Sequence, residues 1–302
     1  MTASVGKVVT SVFRPLLFKN KVAIITGGAT GIGKAITQEL LYLGCNVMIA
    51  SRKVDSLEKA ETELQAWLRR HGRSESQLQT VPCNIRKEQE VQNLISSTLD
   101  KFGQLDFVVN NGGGQFLSPA RDISTKGWQA VIETNLTGTF LMCREAYTQW
   151  MEDNGGAVVN IIANMWNGFP FVSHTGAARS AVDNLTKSLA IEWVHSGVRI
   201  NAVAPGTIYS TTASANYEYD VFAETEKLQP YRRHGSVEEV SGAVCFLLSP
   251  AARFVTGATL RVDAAQSLYN CPTLVVPEHD KMPVYTWETD VQEQSDNSHD
   301  SS

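Results

Sequence analysis

Thr26-Gly27-Gly28-Ala29-Thr30-Gly31-Ile32-Gly33 is the stretch that decides the fold. An apolar run, Val22-Ala23-Ile24-Ile25, leads into it, and a helical pattern through Ala35, Ile36, Leu40 and Leu41 leads out. A strand that ends in a glycine turn and opens a helix leaves main-chain N–H groups unpaired at the helix mouth. The helix dipole favours an anion there, and glycines admit a pyrophosphate close to the backbone. A glycine string alone is a weak signal, whereas the order strand, turn, helix makes this a dinucleotide-binding loop.

Working outward, apolar runs alternate with helical periodicity from Lys21 to about Leu268. The spacing predicts strands at Val22–Thr26, Asn46–Ser51, Leu78–Cys83, Leu105–Asn110, Ala157–Ile162, Arg199–Ala204 and Thr259–Val262. Between them, sets such as Leu57, Ala60, Leu64, Trp67, Leu68 and Val91, Leu94, Ile95, Leu99, Phe102 recur at helical spacing. This alternation specifies a single α/β domain, a Rossmann-type doubly wound parallel sheet flanked by helices. The chain divides into an N-terminal arm, residues 1–20, the domain proper, residues 21–270, and a C-terminal tail, residues 271–302. The stretch Thr207–Tyr231, with Tyr209, Tyr217, Tyr219 and Phe222, breaks the rhythm and reads as a flap over a pocket.

Of 302 residues, 43% are hydrophobic, enough for a sizeable core, and the net charge is −5. The tail carries seven acidic residues against Lys281 alone, which leaves the rest of the chain at 25 basic and 24 acidic, nearly neutral. A nucleic-acid partner is therefore not expected, and the tail is polar enough to lack fixed structure. The five cysteines are far apart, without CxxC spacing, so neither a metal site nor a disulfide framework is expected. No apolar stretch approaches the ~18 residues of a membrane span.

After the second strand comes Ser51-Arg52-Lys53. A carboxylate at this point would hold ribose hydroxyls and repel a 2′-phosphate. Ser51 as donor and Arg52 as cation suit the phosphate, so NADPH is the expected cofactor.

The combination of Thr26–Gly33, Asn110-Asn111-Gly112-Gly113, Asn135 and Pro205-Gly206-Thr207-Ile208 resembles the short-chain dehydrogenase/reductase family over roughly Lys21 to Leu268. Within it, Asn111-Gly112-Gly113-Gly114-Gln115-Phe116-Leu117-Ser118-Pro119, Asn184-Leu185-Thr186-Lys187-Ser188-Leu189-Ala190 and Ser267-Leu268-Tyr269 resemble the peroxisomal trans-2-enoyl-CoA reductases and, more distantly, the 2,4-dienoyl-CoA reductases. The resemblance implies NADPH-dependent reduction of an acyl-CoA double bond in fatty-acid metabolism. It implies cofactor contacts at Gly27, Thr30, Gly31, Ile32, Ser51, Arg52, Asn84, Ile85, Asn111, Gly112, Gly113, Arg179, Pro205, Gly206 and Ile208. It also implies a homo-oligomer, a tetramer, packed through the helices near Trp128–Trp150 and Thr175–Val194. A peroxisomal location follows from the same resemblance, although the sequence ends Asp300-Ser301-Ser302 rather than in a peroxisomal tripeptide. Cytoplasmic and mitochondrial locations are the alternatives.

Members of the family generally hold a Ser, a Tyr and a Lys four residues after the Tyr. Here that slot reads Thr175-Gly176-Ala177-Ala178-Arg179, the serine slot falls at Ile162 or Ala163, and no Tyr-x-x-x-Lys occurs anywhere. The loss excludes ordinary alcohol–ketone chemistry more firmly than enoyl reduction, in which charge builds on a thioester oxygen that hydrogen-bond donors can stabilise. The expected catalytic group is Thr175, Arg179, Asn135 and Gln115, with Asn164 and Tyr209 as further donors; Asn135 is expected either at a kink in its helix, with a freed carbonyl holding a relay water, or as a purely structural residue. The competing reading is a catalytically impaired protein that binds NADP(H) and acyl-CoA. His174 is expected at the surface, as a lone histidine at a helix start, with a role as catalytic acid held in reserve, and Lys187 in an exposed pair with Asp183. Trp166, Phe169 and Phe171 are candidates for an acyl-chain wall. Arg233 is a candidate either for CoA phosphates or for bracing its own loop.

Overall fold

The computed structural model describes residues 11–72, 76–214, 221–226, 229–269 and 277–287. Seven parallel strands form one sheet in the order β3-β2-β1-β4-β5-β6-β7. They are β1 (Val22–Thr26), β2 (Asn46–Ser51), β3 (Leu78–Pro82), β4 (Phe107–Asn110), β5 (Gly156–Ile161), β6 (Val198–Pro205) and β7 (Thr259–Val262). The helices between them are α1 (Gly31–Tyr42), α2 (Val54–Arg70), α3 (Glu88–Phe102), α4 (Thr125–Ile132), α5 (Gly138–Ala146), α6 (Glu152–Asn154), α7 (Ser173–Trp193), α8 (Thr211–Ser214), α9 (Val221–Glu226) and α10 (Val237–Leu248). The expected doubly wound sheet is present, and each strand boundary falls within two residues of its predicted position.

Both faces of the sheet are covered, which is why the central strands read as near-continuous apolar runs. On β1, Ala23 and Ile25 join the core under α1, α2 and α10, whereas Ile24 joins the core under α3, α5 and α7. The strand order reverses between β1 and β4, and Thr26 is in register with both Ala50 and Asn110. The carboxyl ends of β2, β1, β4 and β5 therefore lie in one row, with the glycine loop at the switch point where such sheets bind ligands.

Two π-helical turns interrupt the long helical segment between α4 and β5, at Glu133–Thr137 and Tyr147–Met151. The first carries Asn135 and accounts for the kink expected there. Ahead of β1, Phe18 is buried with its ring 5.3 Å from that of Phe107, and Ser11 Oγ donates to the buried Glu39 at 2.7 Å.

Beyond the domain, residues 277–287 lie along the loop before α10. Arg233 donates to the carbonyls of Met282 (2.9 Å) and Pro283 (3.2 Å), and Ser236 Oγ to that of Tyr285 (2.8 Å), while Trp287 is buried. The acidic composition of this stretch gave no sign of such packing.

Candidate active site

The glycine loop is shaped by contacts that leave no room for side chains. Gly27 and Gly31 have φ of +65° and +52°, in the left-handed region that favours glycine. A Cβ on Gly33 would overlap the carbonyl of Gly27, and one on Gly28 would lie 2.6 Å from Ile49 Cγ2. Helix α1 starts after Thr30, whose side chain makes no capping bond, and its first turn has no acidic residue. The uncapped N–H groups and the helix dipole suit an anion. Asn111 closes the loop from β4. Its Nδ2 donates to the carbonyls of Thr26 (3.1 Å) and Gly27 (3.2 Å), and Thr26 Oγ1 accepts from the N–H groups of Asn111 (3.0 Å) and Gly112 (2.8 Å).

Around this cradle the other expected cofactor residues fall on the same edge. Arg52 is exposed just past β2, beside Ser51. Asn84 follows β3, its Oδ1 accepting from Arg86 N at 3.3 Å, and Ile85 packs against Gly138. At the end of β6, Gly206 N donates to Val262 O, and Thr207 N to Gln266 Oε1. Ile208 forms a parallel bridge to Gly235 through its neighbours, Gly235 N to Thr207 O and Tyr209 N to Gly235 O. That pattern turns the amide and carbonyl of Ile208 itself to the opposite side. A nicotinamide dinucleotide fits these residues: the glycine cradle has no space for side chains, and no carboxylate stands at Ser51-Arg52-Lys53.

The catalytic slot lies beside the cradle at the start of α7. Thr175 is buried, and its hydroxyl has no partner among the described residues. One turn later, Arg179 reaches back to donate to the carbonyl of Ile161 at 2.7 Å. Burial lowers its guanidinium to about 10, so it still carries its charge at neutral pH. A Cβ on Gly113 would overlap Arg179 Nη2 and lie 3.1 Å from Asn135 Oδ1. Asn135 is wholly buried and exchanges two bonds with Gly114, donating to its carbonyl (3.0 Å) and accepting from its N–H (2.9 Å). Arg179, Asn135 and the 113–114 backbone thus form one packed unit. Gln115 continues that loop and is exposed, Asn164 is half-buried with its N–H on Pro205 O, and Tyr209 is exposed with its ring against Phe222.

Two expectations are corrected and two are resolved. His174 is not at the surface. It is wholly buried, with the ring of Phe116 at 4.4 Å edge-on, because the loop after β4 folds back over the start of α7. Phe171 is not enclosed in a pocket wall. It is 61% exposed and holds φ of +62°. Lys187 does pair with Asp183, whose other carboxylate oxygen accepts from Thr259. Arg233 braces its loop, since all five N–H donors are committed: to Glu239 (2.7 and 2.9 Å) and to the carbonyls of His234, Met282 and Pro283.

The rim of the site is apolar. Phe116 (41% exposed), Leu117, Trp166 and Phe171 are exposed there together with Tyr209. Arg261 stacks over Trp166 at 4.0 Å from the ring centroid. A separate depression at the opposite end of the strands, between Lys21, Asp106, Arg199 and Arg253, shares no residue with this site.

Comparison with known proteins agrees with this geometry. The family described as Enoyl-(Acyl carrier protein) reductase matches residues 27–265. A peroxisomal 2,4-dienoyl-CoA reductase of Danio rerio is 35% identical over 257 residues, 84% of each chain. The Rattus norvegicus protein of the same description is 33% identical over 261 residues, 83% of this chain and 85% of that one. Among solved structures, a citronellol catabolism dehydrogenase of Pseudomonas aeruginosa superposes with a TM-score of 0.74 at 42% identity, covering 85% of this chain and 99% of that one.

Proposed function

Because the chain belongs to the short-chain dehydrogenase/reductase family of oxidoreductases, we propose that it reduces the double bond of trans-2-enoyl-CoA thioesters with NADPH. The observation that carries this reading is the buried, unpartnered hydroxyl of Thr175 where most of the family has a tyrosine acid. A donor without acidity suits a reaction that builds charge on oxygen and needs no proton delivered there. The apolar rim of Phe116, Leu117 and Trp166 suits an acyl chain.

NADPH, when bound, supplies a hydride to the β-carbon, leaving the electron pair on the thioester oxygen as an enolate. Thr175 Oγ1 donates to that oxygen, with Gln115 as a second donor from the facing loop. Arg179 has one bond, to Ile161 O, and its remaining N–H donors serve the nicotinamide ribose. At about 10 it is too weak an acid to relay protons at neutral pH, so the α-carbon takes its proton from water. Asn135 fixes the Gly114 backbone and thereby Gln115. Ser51 and Arg52 take the 2′-phosphate.

Reduction of 2,4-dienoyl-CoA is the second reading, supported by the activity in the names of the Danio and Rattus relatives. Crotonyl-CoA, 2-decenoyl-CoA and 2,4-decadienoyl-CoA, each with NADPH and product analysis, separate the two. Tight NADPH binding without turnover of any of them would leave a binding protein and refute the proposal. A homo-oligomer is part of the reading, supported by exposed Trp128, Phe140, Ile191 and Val194 on the helical segments expected at the interface. A peroxisomal location is another, supported by the location in the relatives' names and tested by imaging with the C-terminus untagged.

A further inference from the structure

His174 is the polar group that the reading above leaves unused. Its side chain is wholly buried at the start of α7. Nδ1 accepts the main-chain N–H of Thr175 at 2.9 Å, a donor it shares with the carbonyl of Val172, also at 2.9 Å. A ring nitrogen that accepts holds a lone pair, so the imidazole is neutral and its proton is on Nε2. Nε2 has no partner among the described residues. A buried donor left unbonded costs roughly 1–3 kcal/mol, so such groups in folded proteins call for an explanation. An edge-on contact with the Phe116 ring is at best a weak substitute for a hydrogen bond.

Three features set this orphan apart from a packing accident. It neighbours a second orphan, Thr175 Oγ1, in the same helical turn. Its tautomer is set by its own neighbour, which leaves Nε2–H as the outward donor. Its cover is Phe116, itself 41% exposed, on the loop that carries Gln115, with its ring seated on α4 where Gly127 lacks a side chain: a Cβ there would lie 2.9 Å from Phe116 Cζ. An apolar chain entering at the rim would compete for that seat on α4.

We propose that His174 is a catalytic hydrogen-bond donor, its neutral Nε2–H contacting the thioester oxygen once the acyl chain displaces Phe116. The inference rests on the acyl-CoA reading. His174 transfers no proton: it donates a hydrogen bond to the oxygen on which the electron pair collects, and water still supplies the α-carbon proton. Thr175 and His174 then approach that oxygen from adjacent positions, and the bond from Thr175 N to Nδ1 ties the two together.

The first measurement is a titration of the full-length protein, labelled with [15N]histidine, with butyryl-CoA in the presence of NADP+. The His174 resonances are assigned by their absence in His174→Asn. The expected result is an unprotonated Nδ1 before ligand and a shift of the Nε2 resonance on binding, with the other histidines unmoved. Binding of butyryl-CoA, followed by tryptophan fluorescence, without movement of that resonance would overturn the role of His174 alone. No binding at all would overturn both this role and the acyl-CoA reading.

The second measurement is kinetic, with crotonyl-CoA. His174→Asn keeps an acceptor near Nδ1 for Thr175 N–H but loses the distal donor. His174→Gln places an amide N–H near Nε2. Loss of one oxyanion donor predicts a fall in kcat of about 100- to 1,000-fold in His174→Asn, with partial recovery in His174→Gln and NADPH affinity within about twofold in both. Equal activity of His174→Asn and the parent protein, or equal losses in the two variants, would refute the donor role, since a purely structural histidine would not distinguish them.

Discussion

Replacing Arg179 by Met is expected to leave the protein at least as stable while weakening its hold on NADPH. Burial lowers the guanidinium from its ordinary value to about 10. A drop of that size makes the charged form roughly 3 kcal/mol costlier in the fold than in water. Against this stands one charge-assisted bond, to Ile161 O, at 2.7 Å, of roughly 1.5–3 kcal/mol. Met has similar volume and no charge, and replacement of buried charges by apolar groups is often neutral or stabilising. The balance is zero to about 1.5 kcal/mol in favour of the variant, a rise in Tm of at most roughly 5 °C. The pH dependence has a definite sign. Above about 10 the folded parent releases the Arg179 proton while the unfolded chain still holds it. The unfolded state then binds more protons, and the parent gains stability with rising pH. The gap between the two proteins should therefore close from pH 9 to 11. Calorimetry across that range, with NADPH titrations at pH 7, tests all three statements. A Tm lowered by more than about 3 °C, with a gap that does not change with pH, would refute the view that Arg179 is held at a cost for its ligand.

Other outcomes follow from the same geometry. Arg52→Ala should weaken NADPH binding at least tenfold and NADH binding less than twofold, measured by cofactor fluorescence; equal losses would remove the 2′-phosphate assignment. Gly113→Ala places a methyl against Arg179 Nη2 and Asn135 Oδ1 and should cost about 1–3 kcal/mol in urea unfolding, with part of that cost recovered in the double variant with Arg179→Met. Burial pushes the thiols of Cys83 and Cys143 up to about 12, and those of Cys45 and Cys245 well above their ordinary value. These four should be silent to an aromatic disulfide reagent in the native protein and react only on unfolding; rapid native labelling of any of them, located by mass spectrometry, would contradict the burial.

The sheet was legible because its chemistry is local. Ile24 and Ile25 point to opposite faces, yet both are buried, so β1 reads as a continuous apolar run whatever surrounds it. The glycine loop was legible for a related reason, since Gly27, Gly31 and Gly33 are required by the backbone around them. His174 was not legible, because what buries it is Phe116, 58 positions earlier, and nothing near His174 in the chain announces that neighbour. The π-helical turn at Asn135 was anticipated only as a kink, since the inserted residue leaves the hydrophobic pattern nearly intact. The packing of residues 277–287 escaped for a different reason. Their bonds to Arg233 and Ser236 are made by main-chain carbonyls, which every residue type supplies equally.

The five-fold commitment of Arg233 bears on the order in which the molecule is completed. The Ile208–Gly235 bridge is complete in the chain about 50 residues before the carbonyls of Met282, Pro283 and Tyr285 that brace the adjoining loop. The residues of the glycine cradle are all translated before these carbonyls, so the cofactor side can fold first and the loop ahead of α10 receives its fastening later.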